Sequence, residues 1–131
     1  MRWTTVIIST LSLTAVACAR NPDVQTESAN GDVSLTDGSV AVTVKNNNYS
    51  NMDVYAIVDG GEAIRLGTVT GLSSSTLLAR PSMFSTGTLR LTASPIGGGG
   101  VGRSGPLSVS SGQTVTFTIE SSLALSFGVV R

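Results

Sequence analysis

From Ser39 onward the chain alternates apolar and polar side chains with a period of two, and this pattern admits little besides β-structure. Val40, Val42 and Val44 alternate with Ala41, Thr43 and Lys45. Successive side chains of a strand point to opposite faces, so such a run buries one face and wets the other. Thr88-Leu89-Arg90-Leu91-Thr92-Ala93 repeats the pattern with its leucines inward. Thr114–Glu120 and Leu123–Val129 close the chain, with expected inward sets Val115, Phe117, Ile119 and Leu123, Leu125, Phe127, Val129. Met52–Val58 is apolar on both faces and suits a central strand. Ala63–Val69, with Gly67 as its expected bulge, Ser75–Ala79 and Leu107–Val109 supply the remaining strands. No window carries a helical stripe with cap signals.

The punctuation between these runs has its own mechanism. Asn46–Asn51 reads as a hairpin loop, because Asn tolerates left-handed backbone and hydrogen-bonds its own turn. Asp59-Gly60-Gly61-Glu62 is a tight reversal. Gly71–Ser74, Arg80-Pro81-Ser82 and Ser110-Ser111-Gly112 separate further strands, and Pro95–Pro106 reads as one long glycine-rich loop. Short strands with turn signals at roughly 8–12-residue spacing indicate an all-β domain. The expected fold is a seven- to eight-stranded antiparallel β-sandwich over residues 39–131 with Greek-key-type connections. A small β-barrel is the alternative. The pattern resembles immunoglobulin-like modules over about residues 39–130, without the Cys…Trp…Cys core of true immunoglobulin domains. It is also similar to small uncharacterised envelope modules with Asn-rich hairpins and a late glycine-rich loop. Neither resemblance implies a particular partner.

The first residues read differently. Met1–Thr5 carry one positive charge, and Val6–Val16 form a weakly polar to apolar run. At about eleven residues this run is too short to span a bilayer as a helix, and it has the length and flanks of a secretory signal. Ala15-Val16-Ala17-Cys18-Ala19 then resembles a bacterial lipobox, although leucine is the usual residue where Ala15 stands. The resemblance implies a signal peptide over 1–17, cleaved by signal peptidase II. It also implies lipidation of Cys18, and hence a membrane partner through that anchor. In such lipoproteins a residue other than aspartate after the cysteine, here Ala19, implies the outer membrane. Ala15-Val16-Ala17 and Ala17-Cys18-Ala19 are also sites for ordinary signal peptidase, which would give a secreted or periplasmic protein, and an uncleaved anchor is a third reading. A lone cysteine in an exported chain has no disulfide partner, which lipidation explains. Residues 18–38 are polar and rich in turn formers. They read as a flexible tether with a reach of roughly 25 Å. Val33-Ser34-Leu35 could instead form a short first strand.

The residue inventory excludes much chemistry. The chain has 8 Lys+Arg and 8 Asp+Glu, a balance that argues against a nucleic-acid partner. With no histidine, it lacks the commonest general base and both Ser-His and Cys-His nucleophile pairs. Lys45 points outward by its alternation, so a Ser-Lys catalytic pair is disfavoured. Asp53, Asp59 and Glu62 are weak candidates for Ca²⁺, lacking the spacing of a loop site. The glycine run Gly97–Gly100 is not followed by Gly-Lys-Ser/Thr opening a helix, so it is no phosphate loop. Asn48-Tyr49-Ser50 matches the N-glycosylation triplet, which a bacterial lipoprotein does not need. Tyr49 and Phe84 are the candidate exposed aromatics, and Arg103 a candidate anion contact, of a protein-binding surface. The expectation is a non-enzymatic envelope lipoprotein without cofactor, serving as a structural or interaction module for another envelope protein. A secreted or periplasmic module for a glycan or a Ca²⁺-dependent partner is the alternative.

Overall fold

The alternating runs become strands, and the turn formers decide which ends those strands share. A computed structural model describes residues 38–131. Its eight strands are β1 (Val40–Asn46), β2 (Met52–Ile57), β3 (Ala63–Val69), β4 (Ser74–Ala79), β5 (Thr88–Pro95), β6 (Gly102–Ser108), β7 (Thr114–Ile119) and β8 (Phe127–Val130). One sheet has the order β4-β1-β7-β8 and the other β3-β2-β5-β6. Short 3₁₀ turns occupy Pro81–Phe84 and Leu123–Leu125, and no α-helix occurs among the described residues. The fold is therefore all-β and sandwich-like, and its two sheets do not close into the alternative barrel. The signal peptide, Cys18, the tether up to residue 37 and the Val33–Leu35 strand lie outside the described residues.

Alternation translates directly into the core. Val40, Val42 and Val44 of β1, with Val115, Phe117 and Ile119 of β7 beside them in the same sheet, face Met52, Val54 and Ala56 of β2 and Leu89, Leu91 and Ala93 of β5 in the other; all are essentially inaccessible. The expected central strand, β2, lies between β3 and β5. The bulge expected at Gly67 is found beside it. Val54 pairs with Gly67 and Tyr55 with Arg65, which leaves Leu66 as the extra residue. The sheets meet along both sides. A Cβ on Gly67 would stand 2.9 Å from Leu77 Cδ2, and one on Gly128 would stand 2.8 Å from Leu107 Cδ1.

Three expectations are corrected. The pairing is not wholly antiparallel, since β1 and β7 run parallel, Val42 opposite Val115 and Val44 opposite Phe117. Chain crossings separate these two strands, so no hairpin dictates their relative direction. The supposed loop up to Pro106 contains most of β6. That strand pairs with β5 through a register shift, Arg90 opposite Pro106 and Thr92 opposite Arg103. Ser104 Oγ accepts the Leu91 amide at 2.9 Å within the irregularity. An edge strand tolerates Pro106, whose missing N–H has no ladder partner to disappoint. Finally, the last strand is shifted by one side chain, because Gly128 and Val130 pair with Phe117 and Val115 and so face inward. Leu107 and Ser104 fill the space at Gly128. Phe127 and Val129 therefore stand 48% and 43% exposed, and Leu125 lies in a 3₁₀ turn at 68%.

Candidate functional site

Strand direction sorts the connections into two ends. Loops 47–51, 70–73, 96–101 and 120–126 gather at one end; loops 58–62, 80–87 and 109–113, with the chain's entry at Gly38–Ser39, gather at the other. The entry is pinned there by the Gly112 amide, which donates to the Ser39 carbonyl at 3.2 Å.

The end remote from the entry is organised by asparagines. Asn46, buried at the end of β1, donates from Nδ2 to the carbonyls of Ser50, Val69 and Thr70, and its Oδ1 accepts the Asn48 amide. Asn48 Nδ2 donates to the Ser121 carbonyl, and Asn51 Oδ1 accepts the Gly71 amide. Leu72 adopts the left-handed conformation, φ 55°, with its amide donating to the Asn48 carbonyl at 2.9 Å. A non-glycine residue there costs on the order of 1–2 kcal/mol. On this rigid base stand exposed apolar side chains: Tyr49, Leu72, Ile96, Val101 and Leu125, with Tyr49 at 83%. Scattered exposed hydrophobes are ordinary; these five all stand on loops of the same end.

Arg103 lies where this end meets the outer face of the β3-β2-β5-β6 sheet. It borders a shallow hollow of about 470 Å³ with Gly100, Val101, Leu123 and Ala124. It also borders a second hollow, of about 190 Å³, with Ile57, Arg90, Leu91 and Pro106. Farther across the same face, Arg65 Nη2 meets Asp53 Oδ1 at 2.8 Å, and the Thr68 hydroxyl donates to the same oxygen at 2.6 Å. These bonds, Thr68 first and Arg65 second, hold the Asp53 carboxyl below its usual range.

The sequence-derived candidates thus separate. Tyr49 is exposed at the loop end and Arg103 borders it. Phe84 is corrected: it is 7% exposed, in the 3₁₀ turn that covers the opposite end of the core, and forms no patch with Tyr49. An aromatic in a short proline-led loop gives no sign of whether it points inward. Asp59 and Glu62 occupy the β2–β3 turn near the entry end, whereas Asp53 lies at the far end of β2 and is held by Arg65. Among the described residues no three of His, Cys, Asp and Glu are placed to hold a metal ion. Leu72, Ile96 and Leu125 at the loop end, and Arg90 on the sheet face beside Arg103, carry no sequence signal of their own, since only the strand pairing places them. No protein-family model matches the chain, and no curated protein matches it.

Proposed function

We propose that this chain is a non-enzymatic lipoprotein of the cell envelope, anchored through Cys18, whose sandwich acts as a protein-interaction module. The observation that carries the reading is the polarity of the domain. The chain enters at Gly38, and the rigidly held apolar tips Tyr49, Leu72, Ile96 and Leu125 lie at the other end. A domain tethered by residues 18–38 presents that end away from its anchor. The residue inventory agrees with a binding role: there is no histidine, and the one thiol is assigned to the lipid. Ala19 after Cys18 supports an outer-membrane address.

Growth with an alkyne-tagged fatty acid tests the anchor. Wild type becomes labelled and Cys18→Ala does not; an unlabelled wild type sinks the lipoprotein reading. A photo-crosslinking residue tests the module. Placed at Leu72 or Ile96 in the envelope it gives a discrete adduct, and at Asp59 or Glu62 it does not. Equal yields at both ends refute the assigned surface.

A second reading, a secreted or periplasmic ligand-binding module for a glycan, is favoured by the two hollows that share Arg103. Mass spectrometry of the mature N-terminus separates the two, because ordinary cleavage leaves no diacylglycerol on Cys18. The Ca²⁺-dependent version is disfavoured by the separation of Asp53 from Asp59 and Glu62.

A further inference from the structure

We infer that the hollow between Arg90 and Arg103 is a docking site for an extended acidic peptide segment carrying carboxylates on alternate residues. The inference specifies one partner chemistry for the interaction module proposed above, and depends neither on its lipid anchor nor on its loop tips.

Arg90 and Thr92 both point outward from β5, since Leu89, Leu91 and Ala93 between and around them are buried. Thr92 pairs with Arg103 and Arg90 with Pro106. Arg90 and Arg103 are therefore diagonal neighbours on adjacent strands, with Cα atoms roughly 7–8 Å apart. Both border the hollow of about 190 Å³, whose other walls include Ile57, Thr92 and Pro106. Two guanidinium groups thus flank an apolar floor.

The charge on this face is unbalanced. Among the described residues neither Arg90 nor Arg103 forms a salt bridge, and the one acid on the outer face of these strands, Asp53, is engaged by Arg65 and Thr68. The outer face of the other sheet carries Lys45 as the one charged side chain within its strands, among Thr43, Thr76, Thr116 and Thr118. Anionic partners are accordingly drawn to one face of the sandwich.

The planar fork of arginine matches a carboxylate bidentately. In an extended peptide residues i and i+2 share a face and stand roughly 6.5–7 Å apart, close to the Arg90–Arg103 spacing. The aliphatic stems of two such glutamates would lie over Ile57 and Pro106. Pro106 and the register shift block the β6 edge against ladder extension, so the segment lies across the face instead of adding a strand.

Fluorescence anisotropy with the full-length chain in a neutral detergent tests this. The probes are a short labelled peptide containing Glu-Thr-Glu and its Gln-Thr-Gln counterpart. The acidic peptide binds, and more weakly as salt rises; the neutral one does not. Arg90→Gln and Arg103→Gln each weaken binding about threefold or more, while Lys45→Gln leaves it unchanged. Melting temperatures check that each variant is folded. Failure of the acidic peptide to bind, equal binding of the acidic and neutral peptides, or binding by either arginine variant as tight as by wild type overturns the inference. So does retention on phosphatidylglycerol vesicles that needs Arg90 and Arg103 when the peptide does not. None of these results bears on labelling of Cys18 or crosslinking at Leu72.

Discussion

Asn46 Nδ2 donates to the Thr70 carbonyl at 3.1 Å, tying the end of β1 to the loop that follows β3. The same amide reaches the Ser50 and Val69 carbonyls, and its oxygen accepts the Asn48 amide at 3.0 Å. One buried side chain therefore satisfies backbone groups on both segments that meet at this end. Asn46→Ala leaves those groups without partners and should destabilise the domain by about 2–4 kcal/mol. Urea unfolding measures the loss. A change below about 0.5 kcal/mol would show that water replaces the amide and that the clamp is not structural.

Gly71 sits against the backbone of Tyr49, so closely that a Cβ there would be 2.1 Å from the Tyr49 carbonyl oxygen. The obstacle is main chain and cannot rotate away. Gly71→Ala should therefore cost about 2–3 kcal/mol and loosen the amides of Asn48 and Leu72 toward hydrogen exchange. Gly67→Ala is the comparison, because its Cβ would meet the end of Leu77, which can change rotamer. It should cost about 1 kcal/mol or less. The reverse order of the two would contradict the packing described for the loop end.

The fold was legible where one residue type carried one message. The valines of β1 and leucines of β5 alternate without interruption, and every one of them is buried. Legibility failed where tertiary contacts overrode a local signal. Gly102, Gly105 and Pro106 read as loop, yet an edge strand tolerates both the N–H that Pro106 lacks and the side chains that the glycines lack. Gly128 faces inward because Leu107 occupies the space a side chain would need, and so the larger Phe127 and Val129 turn outward. Tyr49 and Phe84 were alike candidates for exposure, and only the fold separates them, leaving Tyr49 exposed and Phe84 buried. Arg90 was not recognisable as a site residue, since it is an ordinary outward arginine until strand pairing sets it diagonal to Arg103.

The shift in the last strand makes two phenylalanines unequal. Phe117 is fully buried between the sheets, whereas Phe127 is 48% exposed. Phe117→Ala should remove about 3–5 kcal/mol through lost transfer energy and the cavity left behind. Phe127→Ala should remove about 1 kcal/mol or less. Chemical denaturation of the two variants decides the register of β8. A Phe127 variant as unstable as the Phe117 one would restore the inward set read from alternation alone.

Asp53 makes stability depend on pH in a definite direction. The Thr68 hydroxyl and then the Arg65 guanidinium favour its ionised form, which places its folded value below the ordinary 3.8. A carboxyl depressed on folding contributes stability that is complete above its unfolded value. That contribution is lost as pH falls through the unfolded and then the folded value. The stability gap between wild type and Asp53→Asn should thus be constant above about pH 5 and close on acidification through the carboxylate range. Carboxyl NMR titration reads the cause directly. Thr68→Val and Arg65→Gln should each raise the Asp53 value toward 3.8, since each removes a donor to the same Oδ1. An Asp53 that already titrates at 3.8 in the wild type would dissolve the triad as a source of acid sensitivity.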